Sequence, residues 1–172
     1  MYLLCFNCWP STCHCFCCNK RLSFPKDPEC HSYIVNKETD RSVMFVYNGS
    51  SNCKCDKPLA AGWSRFNSTA GSKMPTNCTQ KNRCNTIASG WLSGINPSPQ
   101  EGIVTRTVCF SFISGCCWQQ TSIRVRNCGL FYVYYLTETP GCYYRYCVTN
   151  WTISTYPPLW INDYRRFLLC SE

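Results

Sequence analysis

Hydrophobic and polar positions alternate along five stretches of the chain, which is the period of strands whose side chains point in turn to the two faces of a sheet. These stretches are residues 43–47, Gly62–Phe66, Ile103–Phe112, 121–126 and 131–136. No stretch of useful length shows the period of an amphipathic helix. The pattern therefore predicts a mostly β domain in which short strands are joined by irregular loops.

The last two of these stretches predict a hairpin. Ile123 and Val125 point to one face of the first strand, and the arginines between and after them point to the other. Residues 127–130 include a glycine and form a short connection, so we expect residues 121–136 to pair with each other. The second strand carries tyrosines and almost no polar face. We interpret it as part of an aromatic core, with a tyrosine face that binds carbohydrate or protein as the alternative.

The spacing of cysteines adds cross-links to this picture. The chain has eighteen cysteines, and eleven of them fall between Cys30 and Cys147. Cys116 and Cys117 are adjacent, and a bond between neighbours is strained, so we expect each to have a different partner. A cysteine content this high is typical of disulfide scaffolds, which persist in oxidising compartments. The sequence predicts a small, disulfide-stapled domain that is secreted or extracellular.

Both ends of the chain differ in composition and in hydrophobic pattern from residues 27–148. We expect residues 27–148 to form the single folded domain. Residues 1–26 read as a cysteine-rich leader: a degenerate secretory signal, a non-native start, or a metal-binding or lipid-modified cysteine cluster. Their cysteines are too compressed for a tetrahedral zinc site. Residues 149–172 read as a linker or truncated tail that contains Cys170. No uninterrupted apolar run predicts a transmembrane helix.

The net charge of +8 does not by itself indicate nucleic-acid binding. Seventeen lysines and arginines stand against nine acidic residues, but they are scattered singly rather than gathered in a stripe. We therefore predict a basic secreted surface without nucleic-acid partners. Weak attraction to anionic glycans or membranes stays open.

Signals of catalysis are poor. The two histidines are His14, in the leader, and His31, whose neighbour Cys30 we expect to be half of a disulfide rather than a nucleophile. The carboxylates are dispersed, with no close pair for acid–base work. We predict no catalytic residue, metal site or cofactor. A small secreted enzyme and a basic antimicrobial-type protein are kept as alternatives.

Four motifs for N-linked glycosylation are present. Each is short and weak alone, but four agree with a secreted protein. The acceptors are Asn48, Asn67, Asn77 and Asn150. Asn77 is the least suited, because oxidation of Cys78 within its motif can precede the transfer of the glycan.

Several multi-residue blocks together resemble one known family. They include Asp27-Pro28-Glu29-Cys30, Gly62-Trp63-Ser64-Arg65-Phe66, Glu101-Gly102-Ile103-Val104, Gly115-Cys116-Cys117 and Tyr132-Val133-Tyr134. Over about residues 27–148 the chain resembles the cysteine-rich module of uromodulin, of the major zymogen-granule membrane glycoprotein and of oncoprotein-induced transcript 3. The departures are the inserted Glu29, the extra Cys53 and both chain ends.

The resemblance implies both a disulfide pattern and a kind of function. The implied bridges are Cys30–Cys128, Cys55–Cys142, Cys78–Cys116, Cys84–Cys147 and Cys109–Cys117. The implied function is that of a non-catalytic extracellular glycoprotein module for protein or glycan-mediated interaction. Its expected partners are extracellular proteins, or bacterial lectins that bind its N-glycans.

The resemblance also implies that glycans lie at other places than in relatives. Two acceptor asparagines of uromodulin-like proteins correspond here to Ser93 and Tyr135, which cannot carry an N-glycan. We therefore expect Asn48 and Asn67 to be the sites most used.

Overall fold

The computed structural model describes residues 27–49, 53–113 and 115–150, which form one seven-stranded sheet. The predicted leader and nearly all of the predicted tail lie outside these residues. The strands are β1 (Ile34–Asn36), β2 (Gly62–Phe66), β3 (Ala88–Ser93), β4 (Ile103–Phe112), β5 (Gly115–Asn127), β6 (Tyr132–Leu136) and β7 (Tyr144–Tyr146). The helices in the described part are three short 3-10 turns at Pro28–Cys30, Thr39–Arg41 and Pro99–Glu101.

The strands follow one another across the sheet in the order β1-β2-β6-β5-β4-β3-β7. The long antiparallel pair β4 and β5 forms the centre, and β6 returns against β5 with Val125 opposite Tyr134. β1 joins one edge in parallel to β2, and β7 joins the other edge in parallel to β3. The first strand, β1, and the last strand, β7, are thus the two edge strands of the sheet.

The predicted fold class is confirmed, and so are four of the five predicted strands. β2 and β4 have the predicted bounds. The predicted hairpin over 121–136 is present, although its first strand begins earlier, at Gly115, and its second begins at Tyr132. β3 was not predicted as a strand.

The strand predicted at residues 43–47 is wrong. This segment turns, with the Phe45 amide donating to the Ser42 carbonyl at 2.9 Å. The segment forms one isolated antiparallel β-bridge, between Val46 and Arg83. Met44, Phe45 and Val46 are all exposed. The alternation suggested a strand, but among the described residues this segment pairs with residues 82–84 at the one bridge and forms no longer ladder.

Apolar side chains of the central strands form the core. Its members are Phe66, Ala70, Met74, Ala88, Leu92, Val108, Phe110, Ile123, Val125, Tyr134, Leu136, Tyr146 and Val148. β3 passes so close to its neighbours that a Cβ on Gly90 would lie 2.7 Å from the Arg145 carbonyl oxygen and 2.8 Å from the Phe110 ring. Only glycine fits there, which explains why a residue without a side chain occupies the middle of a buried strand.

The tyrosine-rich strand β6 is part of the core, as the first of the two interpretations had it. Tyr134 is fully buried, and its ring centre lies 5.5 Å from that of Phe66. Its hydroxyl accepts a hydrogen bond from the Met74 amide at 3.1 Å, so the polar end of the buried ring is satisfied. Burial raises the pKa of Tyr134 well above its ordinary value.

Candidate functional site

Four disulfides join the described part of the chain, and each matches a pair that the family resemblance implies. They are Cys30–Cys128, Cys78–Cys116, Cys84–Cys147 and Cys109–Cys117. The adjacent Cys116 and Cys117 therefore go to separate partners, in agreement with the strain argument. Two bridges thus meet at one point of β5 and fix it both to β4 and to the loop before β3.

The fifth implied bridge, Cys55–Cys142, is not closed in this structure. The two sulfur atoms lie 3.0 Å apart, in a hydrogen bond rather than at the separation of about 2.05 Å of a disulfide. Cys53 lies at the same place, with its sulfur 3.7 Å from the Cys142 carbonyl oxygen. Three thiols therefore share a site that the family pattern assigns to two, because Cys53 stands two residues before Cys55.

Beneath this cluster lies a network of ion pairs that the sequence did not reveal. The buried guanidinium of Arg41 makes two hydrogen bonds to the buried carboxylate of Asp56, at 2.7 and 2.6 Å. Asp56 also accepts from the Tyr146 amide at 2.8 Å. A second buried arginine, Arg145, donates to Asp40 at 2.9 Å. Such single charges, far apart in the chain, carry no local pattern that could have indicated their pairing.

The network also affects the acidity of its carboxyls. Burial raises the pKa of Asp40, but hydrogen bonds from Arg145, Asn85 and Lys54 outweigh it and hold that pKa far below its ordinary value. Burial likewise raises the pKa of Glu38, but the positive charge of Arg41 and a hydrogen bond from Asn36 outweigh it, so the pKa of Glu38 is lowered. Both groups are therefore charged across the physiological range, and the network is intact there.

All four predicted glycan acceptors are exposed. Asn67 directly follows β2, and its amide donates to the Asn36 carbonyl at 3.0 Å, which fixes this acceptor at the edge of the sheet. Asn77 is in a poorer position, since Thr79 of its motif is buried and Cys78 is bonded to Cys116. The third residues of the motifs at Asn48 and Asn150 lie outside the described residues.

The two positions at which relatives carry acceptor asparagines have different environments here. Ser93 is exposed at the end of β3. Tyr135 is half-buried and packs edge-to-face against Trp63 with the ring centres 5.5 Å apart, and the guanidinium of Arg124 lies 4.0 Å from the Tyr135 ring centre. These aromatic and cation–π contacts give Tyr135 a packing role on the outer face of the sheet.

Of the residues considered for chemistry, Cys30 and His31 lie in the described part of the chain, whereas His14 and the leader cysteines lie outside it. Cys30 is bonded to Cys128 and cannot act as a thiolate, and His31 beside it is exposed. Within residues 27–49, 53–113 and 115–150, no arrangement of three or more histidine, cysteine or acidic side chains has the geometry to hold a metal ion. None of the helices in the described part of the chain has the length and apolarity needed to span a membrane.

Comparison with known proteins agrees with this geometry. The profile of the family described as "Uromodulin-like, D8C domain" matches residues 64–148. Uromodulin of Rattus norvegicus is 42% identical over 123 residues, which cover 71% of this chain and 18% of that protein. The pancreatic secretory granule membrane major glycoprotein GP2 is 42% identical in Canis lupus familiaris and 38% identical in Homo sapiens. Each match covers 70% of this chain, and 23% and 22% of those proteins.

The match concerns one part of much longer relatives, since this chain spans only about a fifth of their length. In this chain the sheet is cross-linked by disulfides, which persist only where the surroundings are oxidising. The chain is accordingly a secreted or extracellular, cysteine-rich protein. It belongs to the uromodulin-like D8C domain family, whose profile its residues 64–148 match.

Proposed function

We propose that this domain is a non-catalytic extracellular module that acts by interaction, and that it displays N-glycans to glycan-binding proteins such as mannose-specific bacterial lectins. The observation that carries the proposal is the exposure of all four acceptor asparagines on a cross-linked frame. A rigid frame holds attached glycans at fixed places, so binding a lectin costs less conformational entropy of the protein.

Asn48 and Asn67 are the acceptors on which we expect this function to depend. Asn67 and Thr69 of its motif are both exposed, and the backbone at Asn67 is held to β1. Asn48 is exposed beyond the turn at 43–47. Asn77 contributes less, since its motif includes a bonded cysteine and a buried threonine.

The test compares lectin binding by the secreted chain and by variants that lack acceptors. We expect the double change Asn48→Gln and Asn67→Gln to reduce the binding of a mannose-specific bacterial lectin to that of enzymatically deglycosylated protein. Asn77→Gln is the matched control and should leave binding unchanged. Thermal unfolding of each variant shows whether the domain is still folded.

Binding that survives both the double change and complete deglycosylation would contradict glycan display and indicate direct recognition of the protein surface. The tyrosine-rich strand offers little for such recognition, because Tyr134 is buried and Tyr135 packs against Trp63 and Arg124. Detectable hydrolase activity that depends on His31, or membrane leakage at low salt, would instead favour the enzymatic or the antimicrobial alternative.

A further inference from the structure

Three cysteines remain unbonded in the described part of the chain, and they lie together. Eleven cysteines are described and four bridges use eight of them, which leaves Cys53, Cys55 and Cys142. An odd set of thiols can close only one bond at a time and must leave one sulfur over. The local geometry therefore decides which of the three sulfur atoms stays unbonded.

The segment 53–56 presents both of its cysteines to the same side. The Lys54 amide donates to the Asn85 carbonyl at 2.9 Å, and the Asp56 amide donates to the Tyr144 carbonyl at 3.0 Å. Side chains alternate along an extended segment. Asp56 accordingly points inward to Arg41. On the other side, the Cys55 sulfur lies 3.0 Å from the Cys142 sulfur and the Cys53 sulfur lies 3.7 Å from the Cys142 carbonyl oxygen.

Access to solvent favours reaction at this cluster. Cys142 is exposed, and Cys53 and Cys55 are half-buried, so dissolved reagents can reach all three. The hydrogen bond with Cys55 raises the pKa of the Cys142 thiol, which favours the role of Cys142 as the bonded sulfur and not as the attacking thiolate. The other two thiols then compete for it.

We propose that Cys53, Cys55 and Cys142 form a thiol–disulfide exchange site in which Cys142 is bonded in turn to Cys55 and to Cys53. In the bonded state the Cys53 thiolate attacks the Cys142 sulfur of the Cys55–Cys142 disulfide. The Cys53–Cys142 bond forms while the Cys55–Cys142 bond breaks, and Cys55 leaves with the electron pair as a thiolate that water protonates. The exchange requires no oxidant, because one disulfide and one thiol are present before and after it.

The first disulfide of the site arises by oxidation of two of the three thiols by a disulfide reagent, which is reduced to two thiols. The remaining sulfur is then a surface thiol whose position alternates between residues 53 and 55. The class of molecule that this site can bind covalently is a small or protein disulfide, since the odd thiolate attacks such a bond by the same step. This inference concerns chemistry separate from glycan display.

The sequence allows the two pairings to be distinguished by peptide mapping. The secreted full chain is alkylated with N-ethylmaleimide at mildly acidic pH without reduction and its N-glycans are removed. Trypsin cleaves after Lys54 and so separates Cys53 from Cys55, and a glutamyl endopeptidase cleaves after Glu138 and so separates Cys142 from Cys128. Mass spectrometry then identifies which cysteine is joined to Cys142 and which is alkylated.

We expect two populations, one with Cys53–Cys142 bonded and Cys55 alkylated, and one with Cys55–Cys142 bonded and Cys53 alkylated. Cys55→Ala should convert all of the protein to the first bond, and Cys53→Ala should convert all of it to the second and abolish alkylation at this cluster. These variants also show that each bridged peptide can be detected. Asn48→Gln with Asn67→Gln should leave both populations unchanged, which separates this test from that of glycan display.

The proposal is overturned if Cys142 in the unaltered chain is joined only to Cys55. It is equally overturned if Cys55→Ala leaves both Cys53 and Cys142 alkylated, because Cys53 then does not reach its partner. A bond between Cys53 and a cysteine of the leader or Cys170 would also contradict it.

Discussion

At the scale of single residues, buried charge is the feature that most constrains this domain. Arg41 and Asp56 are each at most 5% exposed, and neither could remain charged in the interior without the other. Their two parallel hydrogen bonds join the segment that follows β1 to the segment that carries two of the unbonded cysteines. The pair therefore joins these two loop segments to each other.

Removing one member of this pair should be costly. Asp56→Ala leaves the Arg41 guanidinium buried without a counter-charge, and we expect a loss of about 3–5 kcal/mol in the free energy of unfolding. Glu138→Ala is the matched control, because its ion pair with Lys57 is exposed and should be worth only about 0–1 kcal/mol. Denaturant unfolding of the secreted proteins measures both. Equal, small losses would contradict the structural role of the buried pair.

The lowered pKa values of two carboxyl groups, those of Asp40 and Glu38, predict how the stability of the domain depends on pH. The pKa values of Asp40 and Glu38 are lower in the folded state than in the unfolded state, so their contribution is complete above about pH 4–5, their ordinary range. It is lost as the pH falls toward the lowered values. We expect the melting temperature to fall below about pH 4. Asp40→Asn should melt lower at neutral pH and show a smaller fall, and an unchanged pH profile in this variant would refute the assignment.

At the scale of elements, the strands that were predicted are those rich in β-branched and aromatic residues. β4 was predicted at its full length because β-branched and aromatic residues occupy seven of its ten positions. The first half of β5 was missed because residues 115–120 are all exposed and carry no alternation. β3 was missed because two of its buried residues are not apolar: Gly90 permits a close approach, and Ser89 is satisfied by hydrogen bonds with Arg83.

The disulfides that connect elements should not be equal in value. Cys84–Cys147 closes a loop of 63 residues, while Cys109–Cys117 closes one of 8 within the central hairpin. The chain-entropy model gives about 4 kcal/mol for the first and about 2.5 kcal/mol for the second. Replacing Cys84 and Cys147 by alanine should therefore abolish secretion or lower the melting temperature much further than replacing Cys109 and Cys117. Secretion yield and thermal unfolding test this order, and the reverse order would contradict it.

At the scale of the whole molecule, the sequence indicated the environment better than it indicated the site. The cysteine content and the four glycosylation motifs predicted an extracellular domain, because both are local signals. The pairing of the cysteines was inferred from a family resemblance, since spacing alone leaves many connectivities open. The cluster of Cys53, Cys55 and Cys142 depends on the return of the chain at β7 and could not be derived from the residues around Cys53.

The leader provides a separate prediction at this scale. Cysteines of the described part close four bridges among themselves, so residues 1–26 are not needed for those bonds. We expect a chain that begins at Phe24 behind a strong secretion signal to be secreted and to melt at the same temperature as the full chain. A marked drop in its melting temperature would show that the leader is part of the fold.

The central claim is that residues 27–148 are an extracellular domain held by disulfides, and the count of thiols in the secreted protein tests it most directly. The full chain is alkylated without reduction, digested, and each cysteine peptide of this region is identified by mass. We predict the four observed bridges, a fifth bond to Cys142, and one alkylated thiol at Cys53 or Cys55. Alkylation of four or more cysteines in this region would contradict the account.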